Sequence, residues 1–227
     1  MASAVDICNL ALGHLGDDAT VSSIDPPEGS AQAEHCARFY PIARDTALEA
    51  HDWNFATTRS VLAQVGSAWP SWAFCYELPV SCIRAVSVLP PNALDDYSVG
   101  ISGGGGAELG FPGTSLAQHG AVYSPQDYAI ETDERDRRLL YTNQPDAVLR
   151  YTRRVTDTTR FSPLFVDALS RLLASYLAGP VVKGTEGVSV AQAQLGAYRA
   201  IIAQATVSDT NQRQSRPVHN VPWISGR

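Results

Sequence analysis

Apolar residues recur at helical spacing in four stretches of the chain, and between the second and third the pattern changes to short strand-like runs. The first helix is expected over 3–15, where Cys8, Ala11, Leu12 and Leu15 make one stripe. Ser3 with Asp6 three positions on resembles a capping box, with Asp for the usual Glu, and Gly16 suits the C′ position. The second helix is expected over 30–50 on Cys36, Tyr40, Ala43 and Ala47. Pro41 lies inside it, where a missing N–H predicts a kink near Ala37.

The third helix has the sharpest signals. Ser162 is an N-cap, Pro163 takes the first turn, and Gly179-Pro180 reads as a stop. Between these ends the polar residues are Asp167, Ser170, Arg171 and Ser175. So wide an apolar arc belongs at the centre of a fold, not on its surface. The fourth helix is expected to begin at a capping box, Ser189-Val190-Ala191-Gln192, after a link over 181–187. Its apolar face is Leu195, Tyr198, Ile202 and Ala205.

Residues 56–155 are richer in β-branched and aromatic side chains, broken by Gly and Pro. Strands are expected over 56–62, 74–78, 82–89, 128–132, 138–142 and 147–155, the last three as an antiparallel meander joined by turns at 133–136 and 143–146. The stretch 90–127, with Gly103-Gly104-Gly105-Gly106, is too polar for core and reads as a loop or extended hairpin. The expected class is therefore α+β. A four-helix bundle is formed by 1–55 and 160–207, an antiparallel β domain is inserted over 56–158, and 208–227 form an extended C-terminal tail.

Charge adds a constraint. The 227 residues carry a net charge of −6, which excludes a whole-molecule basic footprint for nucleic acid. Charged residues are only 18%, as expected of a surface partly covered by partners. The four cysteines, Cys8, Cys36, Cys75 and Cys82, form no CxxC pair and read as small buried hydrophobes in a reducing compartment. The start has no basic leader, and no run of about 18 apolar residues stands out to span a membrane. A soluble protein made in a cytoplasm is the expectation.

Catalytic patterns are missing from the sequence. No phosphate-loop spacing, nucleotide-binding G-x-G-x-x-G, zinc-helix H-E-x-x-H or G-x-S-x-G motif occurs. No cofactor is expected. His51-Asp52 are adjacent, so on a helix they diverge by about 100°. Glu34, Asp45 and Glu49 are the carboxylates that a hydrolase reading would have to use, although surface helical charge accounts for them. Arg137, Arg138, Arg150, Arg153 and Arg154 are candidates for ion pairs with a neighbouring subunit. The tail is polar until Val221, Pro222, Trp223 and Ile224, with Arg227 after them. Apolar side chains on such a tail imply a docking partner, either the neighbouring subunit or another protein.

Several of these stretches resemble one family in order and spacing. They are 7–16, followed by Ile24-Asp25; 37–45, running on to His51-Asp52-Trp53-Asn54-Phe55-Ala56; Tyr76-Glu77-Leu78-Pro79 with Cys82-Ile83-Arg84; and Leu149-Arg150-Tyr151 through 161–169, then Tyr198. The family is tail tubular protein A, the head-to-tail adaptors of short-tailed bacteriophages. The likeness covers most of the chain except about 90–127 and the tail. It implies a structural virion protein without catalytic residues. Such adaptors form a homo-oligomeric ring, typically of twelve copies, between the portal protein and the tail nozzle or fibre proteins. DNA passes through the lumen without sequence-specific binding. An acidic balance suits a channel that must not hold DNA. The rival expectations are a tail-associated peptidoglycan hydrolase and an assembly factor that never enters the virion.

Overall fold

The computed structural model describes residues 2–66, 69–91 and 126–212. The expected glycine-rich loop and C-terminal tail, apart from 90–91, 126–127 and 208–212, lie outside the described residues. The fold is α+β: helices α1 (Ala4–Gly13) and α2 (Ala31–Glu49) precede seven strands, and α3 (Pro163–Val182) and α4 (Gly184–Thr210) follow them. The strands are β1 (Thr57–Val61), β2 (Ala63–Val65), β3 (Phe74–Glu77), β4 (Cys82–Leu89), β5 (Tyr128–Thr132), β6 (Arg138–Thr142) and β7 (Val148–Arg153).

The chain divides into two compact units. A helical unit holds Met1–Thr58, Ser81–Arg84 and Thr152–Gln212, and a strand unit is built on Arg59–Val80 and Ala85–Tyr151. In the helical unit α1, α2 and α4 each pack on α3. Leu169, Leu173 and Leu177 of α3 are fully buried with Ile7, Leu12, Cys36 and Leu48 in one cluster. The aromatic end of this core is Trp53, Phe55, Phe161 and Phe165, with Trp53 edge-on to Phe165 at 5.1 Å. Trp53 satisfies its buried indole N–H on the Ala47 carbonyl at 2.9 Å. By length and mean hydropathy (1.3) α3 is apolar enough to cross a membrane, contrary to the sequence expectation. Half of that apolar window is buried within the fold.

Caps explain three of the four helix starts. Ser3 and Asp6 form the reciprocal capping box, and Ser30 and Ser162 accept from Ala33 and Phe165. The corner between α3 and α4 differs from expectation. Gly179-Pro180 does not end α3, which continues to Val182. Pro180 so near the C-terminus forfeits a single bond to the Tyr176 carbonyl, and the helix absorbs that loss. The stop is made instead by Lys183 and Gly184, whose φ angles are +60° and +63°. α4 then starts at once, so Ser189 lies inside the helix and caps nothing. α4 also runs on to Thr210, beyond the expected end near 207. At Gly187 the two helices come so close that an added Cβ would lie 2.9 Å from the Ala178 carbonyl oxygen.

The strands form two small sheets, with orders β1-β7-β4 and β2-β3-β6-β5. Of the expected meander, the β5–β6 hairpin forms and the β6–β7 pairing does not. β6 pairs antiparallel with both β5 and β3, from Thr132↔Arg138 to Tyr128↔Thr142 and from Glu77↔Leu139 to Phe74↔Thr142. Both its edges are filled, so β7 leaves for the other sheet. There the bonds Leu62 N–H to Ala147 carbonyl and Arg153 N–H to Ala56 carbonyl run antiparallel to β1. β2 is an addition that three residues of sequence could not announce. Tyr76 closes the turn after β6, donating to the Gln144 carbonyl and accepting from the Ala147 N–H.

Candidate functional site

Among the described residues of the helical unit, a concavity lies between α1 and the start of α3. It encloses about 560 Å3, a size suited to one compact group, and Leu10, Phe161 and Val166 are among its apolar walls. The polar side chains in its wall are His14, Thr159, Asp167 and Ser170. Pro163 and the Ser162 cap set the first turn of α3, which fixes Asp167 and Ser170 one turn apart on the pocket side.

A polar lattice holds these groups. Ser170 is fully buried and its hydroxyl donates to the Asp167 carbonyl at 2.8 Å. Having spent its proton there, Ser170 Oγ is left to accept from His14 Nε2, 3.1 Å away. The His14 tautomer follows from this chain of donors: Nε2 carries the hydrogen and Nδ1 keeps a lone pair. The His14 carbonyl accepts from Gln194 Nε2 at 3.0 Å, and Gln194 Oε1 accepts from Arg171 at 3.1 Å. Arg171 in turn faces the Asp167 carboxylate at 3.6 Å. Helices α1, α3 and α4 are thus tied by one network. Burial, with the Arg171 guanidinium second, holds His14 below its ordinary range, against the opposite pull of Asp167.

Chemically this is an acceptor site. With Nε2 turned to Ser170, the unprotonated imidazole leaves Nδ1 as an acceptor, and the Asp167 side chain is 46% exposed. Ser170 is sealed and its proton is committed to a backbone carbonyl, so His14 is not placed to activate it as a nucleophile. Among the described residues no group of three or more His, Cys, Asp or Glu side chains is placed to hold a metal ion.

The site residues expected from the sequence are elsewhere. Arg137 is paired with Asp133 at 2.7 Å, and Arg154 with Asp45 at 2.8 Å. Asp45 also holds Arg44 at 2.8 Å, so this carboxylate serves two guanidinium groups. Arg150 is 4% exposed on β7, while Arg153 is half-buried and Arg138 exposed. Val221, Pro222, Trp223, Ile224 and Arg227 lie outside the described residues. His51 and Asp52 do diverge: Asp52 pairs with Arg84, and His51 Nε2 faces Asp209 at 3.5 Å. Asp209 also accepts from the Asn54 N–H at 3.0 Å, anchoring the last turn of α4.

The pocket was missed because His14 and Ser170 are 156 positions apart. A trace of it was present, since Asp167, Ser170 and Arg171 at i, i+3 and i+4 put three of α3's four polar residues on one face. Neither a scan against protein-family models nor a search of curated proteins finds a match for the chain.

Proposed function

We propose that the chain is a ring-forming head-to-tail adaptor of a short-tailed bacteriophage, joining portal to tail and letting DNA pass through its lumen. The observation that carries this reading is where the resembling stretches fall. Residues 7–16 cover α1 from its second turn and the turn that follows it, 37–45 the middle of α2, and Trp53 and Phe55 the aromatic end of the core. Tyr76–Pro79 and Cys82–Arg84 cover the end of β3 and the start of β4, and 161–169 the entry to α3. The likeness therefore lies in capping and core positions, the features that specify a fold.

In this reading the four helices act as a four-helix bundle formed by the two ends of the chain, with the strands as the tail-side part and 208–227 as an extended arm. Exposed apolar side chains are compatible with an assembling protein, though none of them is shown to form a patch. Ile42, Val61, Trp69, Val80, Val188 and Val207 are each more than half exposed, with Val80 at 96%. The test is to mix the purified protein with cognate portal rings and count symmetry by electron microscopy. A cyclic layer of about twelve copies beneath the portal is expected from the resemblance. Monomers beside bare portals would remove the reading.

A further inference from the structure

We propose that the pocket between α1 and α3 receives the C-terminal segment around Trp223–Arg227 of a second copy of this chain. The inference takes the existence of neighbouring copies from the ring reading; its chemistry comes from the pocket and the sequence. The pocket offers apolar walls and acceptors: the His14 ring, the Thr159 hydroxyl, whose proton goes to Asp157, and the Asp167 carboxylate. Arg171 occupies one side of that carboxylate and leaves the rest open, as its 46% exposure shows. The complement is an apolar group followed by a cation.

The segment after Gln212 has that composition. It carries Val221, Pro222, Trp223 and Ile224, then Arg227, and includes Arg213 and Arg216. It contains no Asp or Glu, although the whole chain has 23 acidic against 17 basic residues. The charge of the segment is thus opposite both to the protein as a whole and to the pocket's open carboxylate. Length permits the reach: Trp223 stands 11 residues past Gln212, a span of up to about 36–40 Å when extended. A segment passed from each copy into the next is a heterologous contact, the kind that closes into a ring.

The experiment places a benzophenone amino acid at position 223 of the full-length chain. This chain is mixed with an isotope-labelled copy and irradiated, and the linked peptides are located by mass spectrometry. Crosslinks between copies onto residues 2–14 and 159–171 are expected. Asp167→Lys should lower their yield about tenfold, as should Arg227→Glu, and the two together should restore it. Circular dichroism checks that each variant keeps its helices. Links only within one copy, links to other segments, or yields untouched by Asp167→Lys overturn the proposal. Portal rings that form without these crosslinks sink the docking inference alone; crosslinks without portal rings sink the ring reading alone.

Discussion

The two units bury their apolar residues in different ways. In the helical unit every helix contributes to one cluster centred on α3, where nine of twenty residues are buried. In the four-stranded sheet burial follows position, whereas β4, at an edge of the other sheet, buries four of its eight residues. The central β6 buries four consecutive residues, Leu139 to Thr142, while the edge strands β2 and β5 bury none. A central strand covered on both faces loses the alternation that marks a half-exposed one. The helical core is a shared apolar mass; a small cluster of the strand unit is instead built on cross-strand pairs, such as Cys75 opposite Tyr141.

The hardest test of that contrast is a charge in each core. Leu173→Asp places a carboxylate at a fully buried position of α3. The cost, about 5 kcal/mol or more, rivals the whole stability of a domain, and the helical circular-dichroism signal should be lost. Leu139→Asp on β6, at 5% exposure, should leave that helical signal and its thermal transition largely intact. If Leu139→Asp also abolishes the helices, the two cores are one cooperative system and the contrast fails.

A finer test lies at the contact of α3 with α4. Gly187→Ala would push a methyl to 2.9 Å from the Ala178 carbonyl oxygen, a backbone atom that cannot swing away. A loss of about 1–3 kcal/mol in chemical denaturation is expected, as for other overpacked interiors. Gly196→Ala on the same helix meets nothing within 4 Å and should gain up to about 1 kcal/mol from helix propensity. Equal effects at the two glycines would show that α3 and α4 do not approach so closely.

What the sequence made legible follows the same division. Three helix starts were readable because capping is local: a serine and the N–H three residues on suffice. All six expected strands were readable from β-branched runs, and so was the local β5–β6 hairpin, but not the β3–β6 pairing or the departure of β7, because those partners are chosen across long stretches of chain. The α3 stop was misread because Gly179-Pro180 is a statistical signal, whereas the actual stop puts a lysine, Lys183, at a positive φ that its residue type does not announce. The pocket needs two helices brought together, and nothing local records that. The C-terminal residues singled out by composition lie beyond the structure's described part, so their selection rests on sequence alone.

Lys183 gives a smaller effect of opposite sign. Its φ of +60° and ψ of 167° fall where only glycine is at ease. Lys183→Gly should raise stability by about 1 kcal/mol, the relieved strain exceeding the entropy that glycine adds to the unfolded chain. No gain, or a loss, would mean that the corner is not strained.

The smallest effect expected comes from pH acting on the polar lattice. His14 in the folded protein titrates below its ordinary value of 6.5, chiefly through burial and then through Arg171, with Asp167 opposing. Above that value both folded and unfolded chains hold it neutral, and it contributes no pH dependence. As the pH falls below it, the unfolded chain binds the proton first, so the unfolded state binds more protons and stability declines. The groups that face the ring set the sign: Ser170 needs the Nε2 hydrogen in either form, Arg171 repels the cation, and Asp167 attracts it. Denaturation midpoints of wild type and His14→Gln, compared between neutral and mildly acidic pH, isolate the term. Wild type should lose more stability than His14→Gln on acidification. A reversed order would show that Asp167 outweighs burial and Arg171, and that the pocket at low pH is a stabilised ion pair instead of an acceptor site.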